Sequence, residues 1–226
     1  MAGLAVVAAA LSPPVDARAD ATLAAHMVQH VALTMVAAPL LAAGLPSVPI
    51  LRSKGRSGPI LRSKGRSGPG VHPLLAWVLF AATGWLVHFT PLFDAATESL
   101  PVHVFEHAVL LGTALLFWAQ VVGARTRMSH PLRLLYLVVA MPQNTFLALA
   151  IYSTDRVLYE HYVRGAEPLA DQRLAGGIMW VAGDLVLLAA VLLVAAAWAR
   201  HEERETRQRE LSEEAADRLP SPRTAG

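Results

Sequence analysis

The sequence predicts an all-α protein, a polytopic transmembrane helical bundle with about five to six membrane helices. One observation is composition: 54% of the 226 residues are hydrophobic and only 16% are charged. The apolar share is above, and the charged share below, what soluble domains usually have. The other observation is that apolar runs of about twenty residues recur, the length that a helix needs to cross a bilayer core of roughly 30 Å. The lipid bilayer is therefore an expected partner.

Five stretches are apolar and long enough to be complete spans, and they divide the chain into three regions. Region 1–20 holds GLAVVAAAL and the breaker SPPVDARAD. We interpret the first stretch as a truncated or late-started helix, because no basic segment precedes it as in a signal peptide. Region 200–226 is a tail with charges of both signs. The bundle covers 21–199, with predicted spans at about 21–44, 74–93, 102–123, 133–153 and 174–199.

The basic residues predict the orientation of the bundle. Fifteen Lys and Arg residues lie in the 45–72 loop, the 124–133 connection and the tail, against four on the opposite side. By the positive-inside rule, the protein is multi-pass in the cell membrane with a cytoplasmic C-terminus. The 45–72 loop contains two identical copies of PILRSKGRSG. We interpret them as a tolerated duplication without chemistry of its own.

Five of the nine histidines are predicted to lie at one depth, near the outer surface. HMVQH places His26 and His30 four residues apart at the head of the first span, and His103 and His107 repeat this spacing in the third. Residues four apart share a helix face, and His88 reaches the same level from the second span. Ionisable residues within a membrane normally face the bundle interior and mark functional sites. We therefore predict one outward-facing metal site from His26, His30, His88, His103 and His107.

Imidazole ligands suit copper, zinc and iron, and thioethers would favour Cu(I). Met27 and Met35 lie on the first span and Met179 on the last, so they are accessory candidates, although methionine also fills cores. Glu106 is placed to accept the second ring N–H of a ligand histidine. Asp184 is the one carboxylate deep in a predicted span; a hydrogen-bonded packing role and a role in ion passage both stay open.

The residue inventory excludes several classes of function. The chain has no cysteine, so disulfides and thiolate metal sites are excluded. It has no HExxH motif, phosphate-binding glycine loop or nucleophile elbow, so we predict that it is not an enzyme, and no nucleic-acid partner is expected. Two alternatives to a protein that only holds a metal ion stay open. One is a copper transporter, which needs ligands that reach the cytoplasm, and the other is a haem-binding electron-transfer protein, which needs axial histidines on facing helices.

Four segments carry a resemblance to a known family. They are AHMVQHVALTMVAAPLLAAGLP (25–46), GWLVHFTPLFDAATESLPVHVFEHAVLLGTALLFW (84–118), MPQNTFLALAIYSTDRVLYEHY (141–162) and DQRLAGGIMWVAGDL (171–185). Together they resemble the CtaG-type cytochrome c oxidase assembly factors, the polytopic caa3-oxidase kind. The resemblance implies a role in the maturation of haem–copper oxidases, with copper as the suspected ion. It implies oxidase subunits and an external copper donor as partners, and maps the family's outward histidines onto the same five positions.

Overall fold

The computed structural model describes residues 1–44, 71–123, 126 and 128–217. These residues form helices and no strand, which confirms the all-α prediction. The duplicated segment of the predicted loop and the last residues of the tail lie outside the described residues.

The helices follow one another in a simple order. They are α1 (Ala2–Ala10), α2 (Pro13–Ala21), α3 (Leu23–Val31), a π-helical segment (Ala32–Ala37), α4 (Ala38–Gly44), α5 (Pro73–Phe89), α6 (Leu92–Glu98), α7 (Leu100–Val122), α8 (His130–Tyr152), a 3-10 segment (Glu160–Arg164) and α9 (Pro168–Asp217).

Four helical stretches of the described chain are long and apolar enough to cross a membrane, which supports the prediction of a polytopic membrane protein. They are Leu23–Gly44, Leu100–Val122, His130–Tyr152 and Pro168–Glu214.

The second predicted span, 74–93, differs from the single helix expected. α5 ends at Phe89, α6 begins at Leu92, and the two are bent by 66°. Pro91 lies in the break, where its missing N–H and its restriction of the preceding residue disfavour a continuous helix. α5 and α6 make a fifth span only if the two pieces are taken together.

The last helix is much longer than a bilayer requires. α9 has 50 residues, a length of about 75 Å at the usual rise per residue. The predicted span 174–199 lies inside it, and the helix continues through the charged segment that begins with RHEERE.

Short polar contacts hold the start of α3. The Thr22 side chain accepts a hydrogen bond from Ala25 N at 3.3 Å. The Asp171 carboxylate, in the first turn of α9, accepts from Leu23 N at 2.7 Å and Ala24 N at 3.1 Å. The first N–H groups of a helix have no partner within it, and an acidic side chain there stabilises its dipole. Asp171 therefore fixes α3 against α9 directly before His26.

The π-helical segment follows His30 without a break. Its widened turn leaves the Thr34 carbonyl to accept from Trp118 Nε1 of α7 at 2.9 Å, and Thr34 Oγ1 donates to His30 O at 2.7 Å. Single π-helical turns are frequent at functional sites, because the extra residue redirects the side chains on either side. Here the Trp118–Thr34 hydrogen bond joins the π-helical continuation of α3 to α7, and these two helices carry the paired histidines.

Candidate metal centre

Four buried side chains from two helices converge at one end of the bundle. His26 and His30 of α3, with Glu106 and His107 of α7, can each offer one ligand atom, all within 4.8 Å of one another. His26 is 2% exposed and Glu106 is 0% exposed. The four-residue spacing of the histidine pair places both rings on one face of α3, as the sequence predicts. We call these four side chains the outer pocket.

The distances within the outer pocket are those of a ligand set. The Nε2 atoms of His26 and His30 are 3.0 Å apart. Glu106 Oε2 is 4.0 Å from His26 Nε2, and its Oε1 is 3.9 Å from His30 Nε2. These carboxylate distances are too long for hydrogen bonds. Glu106 was expected to accept the second N–H of a ligand imidazole; in the structure its carboxylate oxygens lie close enough to the histidine nitrogens to bind the same ion.

The other two predicted histidines flank the outer pocket on opposite sides. The His103 ring is 4.2 Å from that of His107 and 5.5 Å from that of His26, between centroids. The His88 ring is 5.7 Å from that of His30. The structure therefore brings all five histidines into one region, with two of them outside the four-residue group.

Backbone contact fixes the His88 ring. Its Nδ1 lies 2.7 Å from the carbonyl oxygen of Gly84, one turn earlier on α5. A carbonyl can only accept, so Nδ1 carries the proton, and in the neutral ring Nε2 keeps its lone pair. Ligand histidines in metal proteins usually have such a partner on the second nitrogen.

A tyrosine fixes the His26 ring in the same way. Tyr162 Oη donates to Ala19 O at 2.6 Å and lies 3.2 Å from His26 Nδ1. Burial raises the pKa of Tyr162 above its ordinary value, so the hydroxyl stays protonated. Because its one proton goes to Ala19, the oxygen accepts from His26 Nδ1. The lone pair of His26 Nε2 then points at the outer pocket.

Several buried polar atoms of this region have no hydrogen-bond partner among the described residues. They are His30 Nδ1, His88 Nε2, His103 Nε2, His107 Nε2, Glu106 Oε1 and Glu106 Oε2. An unpaired buried polar atom costs about 1–3 kcal/mol. A cation would satisfy several of them at once, because imidazole nitrogens and carboxylate oxygens bind copper, zinc or iron. The donor set fits a metal ion.

Comparison with known proteins assigns the chain to a family. The family model described as cytochrome c oxidase caa3 assembly factor matches residues 1–201. The chain belongs to this family. The assignment confirms the resemblance in the sequence.

Three curated relatives that match this chain are longer proteins. Uncharacterized proteins of Mycobacterium bovis and Mycobacterium tuberculosis are each 30% identical over 142 residues, which is 59% of this chain and 22% of theirs. An uncharacterized protein of Mycobacterium leprae is 28% identical over 144 residues, with the same coverage. The chain spans about a fifth of the length of these curated relatives. No solved structure matches it.

Aromatic side chains that the sequence analysis did not single out cover the outer pocket. Phe93 of α6 is 1% exposed, and its ring lies 4.9 Å from that of His26 and 4.1 Å from that of Tyr159. The bend at Pro91 is what turns α6 across the histidines. Phe93 lies on a helix of only seven residues and Tyr162 on a 3-10 segment, so residue spacing gave no clear signal for them.

The accessory candidates occupy three different environments. Met27 is fully buried in an apolar cluster with Leu23 and Phe93. Met35 and Met179 line a cavity that also reaches His30. Asp184 accepts hydrogen bonds from Asn144 Nδ2 at 3.0 Å and Thr145 Oγ1 at 2.6 Å, so it joins α9 to α8. These contacts agree with the hydrogen-bonded interpretation of Asp184, and a role in ion passage stays a prediction.

Proposed function

We propose that this assembly factor holds copper in the outer pocket and delivers it to an oxidase subunit by ligand exchange. The supporting observation is the convergence of three imidazoles and one carboxylate within 4.8 Å in a buried site. Among the described residues, His107 Nε2 and both carboxylate oxygens of Glu106 have no hydrogen-bond partner. Family membership is the reason to propose an oxidase as the recipient, and the imidazole and carboxylate donors are the reason to propose a transition metal.

The proposed orientation places the outer pocket on the outside of the cell membrane. Its support is the excess of basic residues on the opposite side of the bundle, fifteen against four. An external copper donor would then load the pocket. Exchange needs neighbouring ligands that can replace one another, and the flanking rings of His88 and His103 supply them.

The two alternatives have less support. A haem with two axial histidines needs a macrocycle between facing rings, but the closest ring nitrogens here are 3.0 Å apart on one helix. A reduced-minus-oxidised spectrum without haem bands is therefore expected. A transporter needs ligands toward the cytoplasm. At that end of the described structure the rings of His130 and His201 lie 5.5 Å apart between centroids, away from the five-histidine region.

Metal analysis of the purified protein tests the proposal. Wild-type protein should retain copper through size-exclusion chromatography, and the His26→Ala/His30→Ala double variant should lose it. The matched control is His130→Ala/His201→Ala, which removes two rings that also lie close together and should keep the copper. Equal copper in all three samples would overturn the proposal. If the alanine variant does not accumulate, His26→Asn/His30→Asn gives the same test with a smaller change in polarity.

A further inference from the structure

A small internal cavity adjoins the outer pocket. It has a volume of about 50 Å³, and its walls include His30, His88, Met35 and Met179. These side chains come from four separate parts of the bundle: α3, α5, the π-helical segment and α9. We call this space the inner cavity.

We propose that the inner cavity is a second copper subsite, selective for Cu(I), with two imidazoles and two thioethers as its ligands. This inference rests on the proposed copper-holding function. It adds a specific ion, a specific oxidation state and a place distinct from the outer pocket.

The histidine contacts support this second subsite. His30 has one nitrogen, Nε2, engaged with His26 in the outer pocket, while its buried Nδ1 has no partner among the described residues. His88 has Nδ1 engaged with the Gly84 carbonyl, while its buried Nε2 also has none among these residues. Each imidazole that lines the inner cavity therefore has one free ring nitrogen. Within the described part of the chain, no side chain pairs with either nitrogen.

The methionines give the inner cavity a chemistry that the outer pocket lacks. Thioether sulfur is a soft ligand and selects Cu(I), whereas the carboxylate of Glu106 is a hard ligand and suits divalent ions. Met35 is 5% exposed and Met179 is 7% exposed, so both are held inside the bundle. Met27, the third candidate, is buried beside His26 but does not line the cavity. It therefore serves as an internal control for ordinary core packing.

The size and charge of the inner cavity suit a monovalent ion. One water molecule needs about 10–15 Å³ of such volume, so the cavity of about 50 Å³ holds an ion without displacement of the backbone. Asn144 also lines it and donates to the Asp184 carboxylate at 3.0 Å. A carboxylate near a low-dielectric cavity stabilises a cation there. This gives the half-buried Asp184 a function beyond joining two helices.

His30 belongs to both places. Its Nε2 lies in the outer pocket and its ring also lines the inner cavity. A copper ion could therefore move between them by exchange of ligands around one imidazole, without passing through water. No oxidation or reduction is part of this step: each place holds the ion in the state in which it arrives, and the inner cavity retains Cu(I).

X-ray absorption on the full-length protein tests the inner subsite directly. Purified protein in detergent is loaded with one equivalent of Cu(I) under a reducing atmosphere. Sulfur scattering in the first coordination shell of copper is expected, and it can come only from methionine because the chain has no cysteine. A first shell of nitrogen and oxygen alone would overturn the proposal.

Matched variants then assign the sulfur. Met35→Leu/Met179→Leu conserves side-chain volume, and should remove the sulfur signal and weaken Cu(I) and Ag(I) binding by at least about 10-fold, no less than loss of a supporting ligand contact. Co(II) binding, measured by its visible absorption in the outer pocket, should be unchanged and shows that the variant is folded. Met27→Leu should match wild type in every measurement.

Unchanged Cu(I) affinity in the double variant would overturn the inner subsite alone. Wild-type protein that binds no copper in either oxidation state would overturn the proposed function as well.

Discussion

The Nε2 atoms of His26 and His30 face each other at 3.0 Å from successive turns of α3. Two lone pairs at this distance repel, so one proton or one cation must lie between or beside them. Because Tyr162 fixes the lone pair of His26 Nε2 toward the pocket, the shared proton of the metal-free pair belongs to His30. A metal ion that binds both Nε2 atoms releases this proton to solvent, because each ligand nitrogen must offer its lone pair. The pair therefore behaves as one ligand unit.

The first prediction is that the two histidines are not independent. His26→Ala and His30→Ala should each cause most of the loss of copper affinity, and the double variant should be little worse than the more severe single one. Residues that act on one site couple, so their free-energy effects do not add. Competition titration of the four proteins measures the coupling. His201→Ala, exposed on α9, is the control, and additive losses would contradict a shared site.

The second prediction concerns the tyrosine behind His26. Tyr162→Phe removes the oxygen that accepts from His26 Nδ1, so the ring loses its fixed tautomer. Copper affinity should fall about 10–100-fold, the usual effect of losing the hydrogen-bond partner of a ligand histidine. Tyr159→Phe is the matched control: Tyr159 is also buried against Phe93, but its hydroxyl has no partner among the described residues. Equal effects of the two changes would show that Tyr162 acts only through packing.

The sequence predicted which histidines converge better than it predicted the contacts that hold their rings. The paired histidines were found because a spacing of four and a common depth are both properties of helices. The partner of His26 comes from the 3-10 segment, and that of His88 is a backbone carbonyl. Neither leaves a periodic pattern in the chain. The bend at Pro91 was missed for a similar reason, since hydropathy continues across it.

The third prediction separates the charge of Glu106 from its shape. Glu106→Gln keeps the size of a side chain that lies 3.9–4.0 Å from both ring nitrogens, but removes its negative charge. Cu(II) affinity should fall about 10–100-fold, an intermediate loss compared with removal of a histidine. Cu(I) affinity should change less, because softer ligands dominate its binding. Equal losses for the two ions would contradict the assignment of Glu106 to the outer pocket alone.

The fourth prediction tests the orientation on which an external copper donor depends. The chain has no cysteine, so a single cysteine reports its own location. Glu98→Cys, at the exposed end of α6, should react with a membrane-impermeant maleimide in intact cells. Ser212→Cys, exposed near the end of α9, should react only after the cells are opened. The reverse pattern would place the outer pocket in the cytoplasm and remove the external donor.

The last prediction concerns the close approach of α8 and α9 beside the inner cavity. A Cβ atom added at Gly183 would lie 2.6 Å from Asn144 Nδ2, the atom that donates to Asp184, whereas one at Gly177 would have nothing within 4 Å. Gly183→Ala should therefore displace Asn144 and destabilise the protein by about 1–3 kcal/mol, the usual cost of overpacking. Gly177→Ala, on the same helix, should leave stability unchanged or raise it by up to about 1 kcal/mol, because alanine favours helix. Thermal unfolding in detergent measures both.

If the cavity also holds Cu(I), added Ag(I) should raise the melting temperature of Gly177→Ala as much as that of wild type, and that of Gly183→Ala by less. Equal stabilisation of all three proteins by Ag(I) would show that Asn144 and Asp184 contribute nothing to the bound ion.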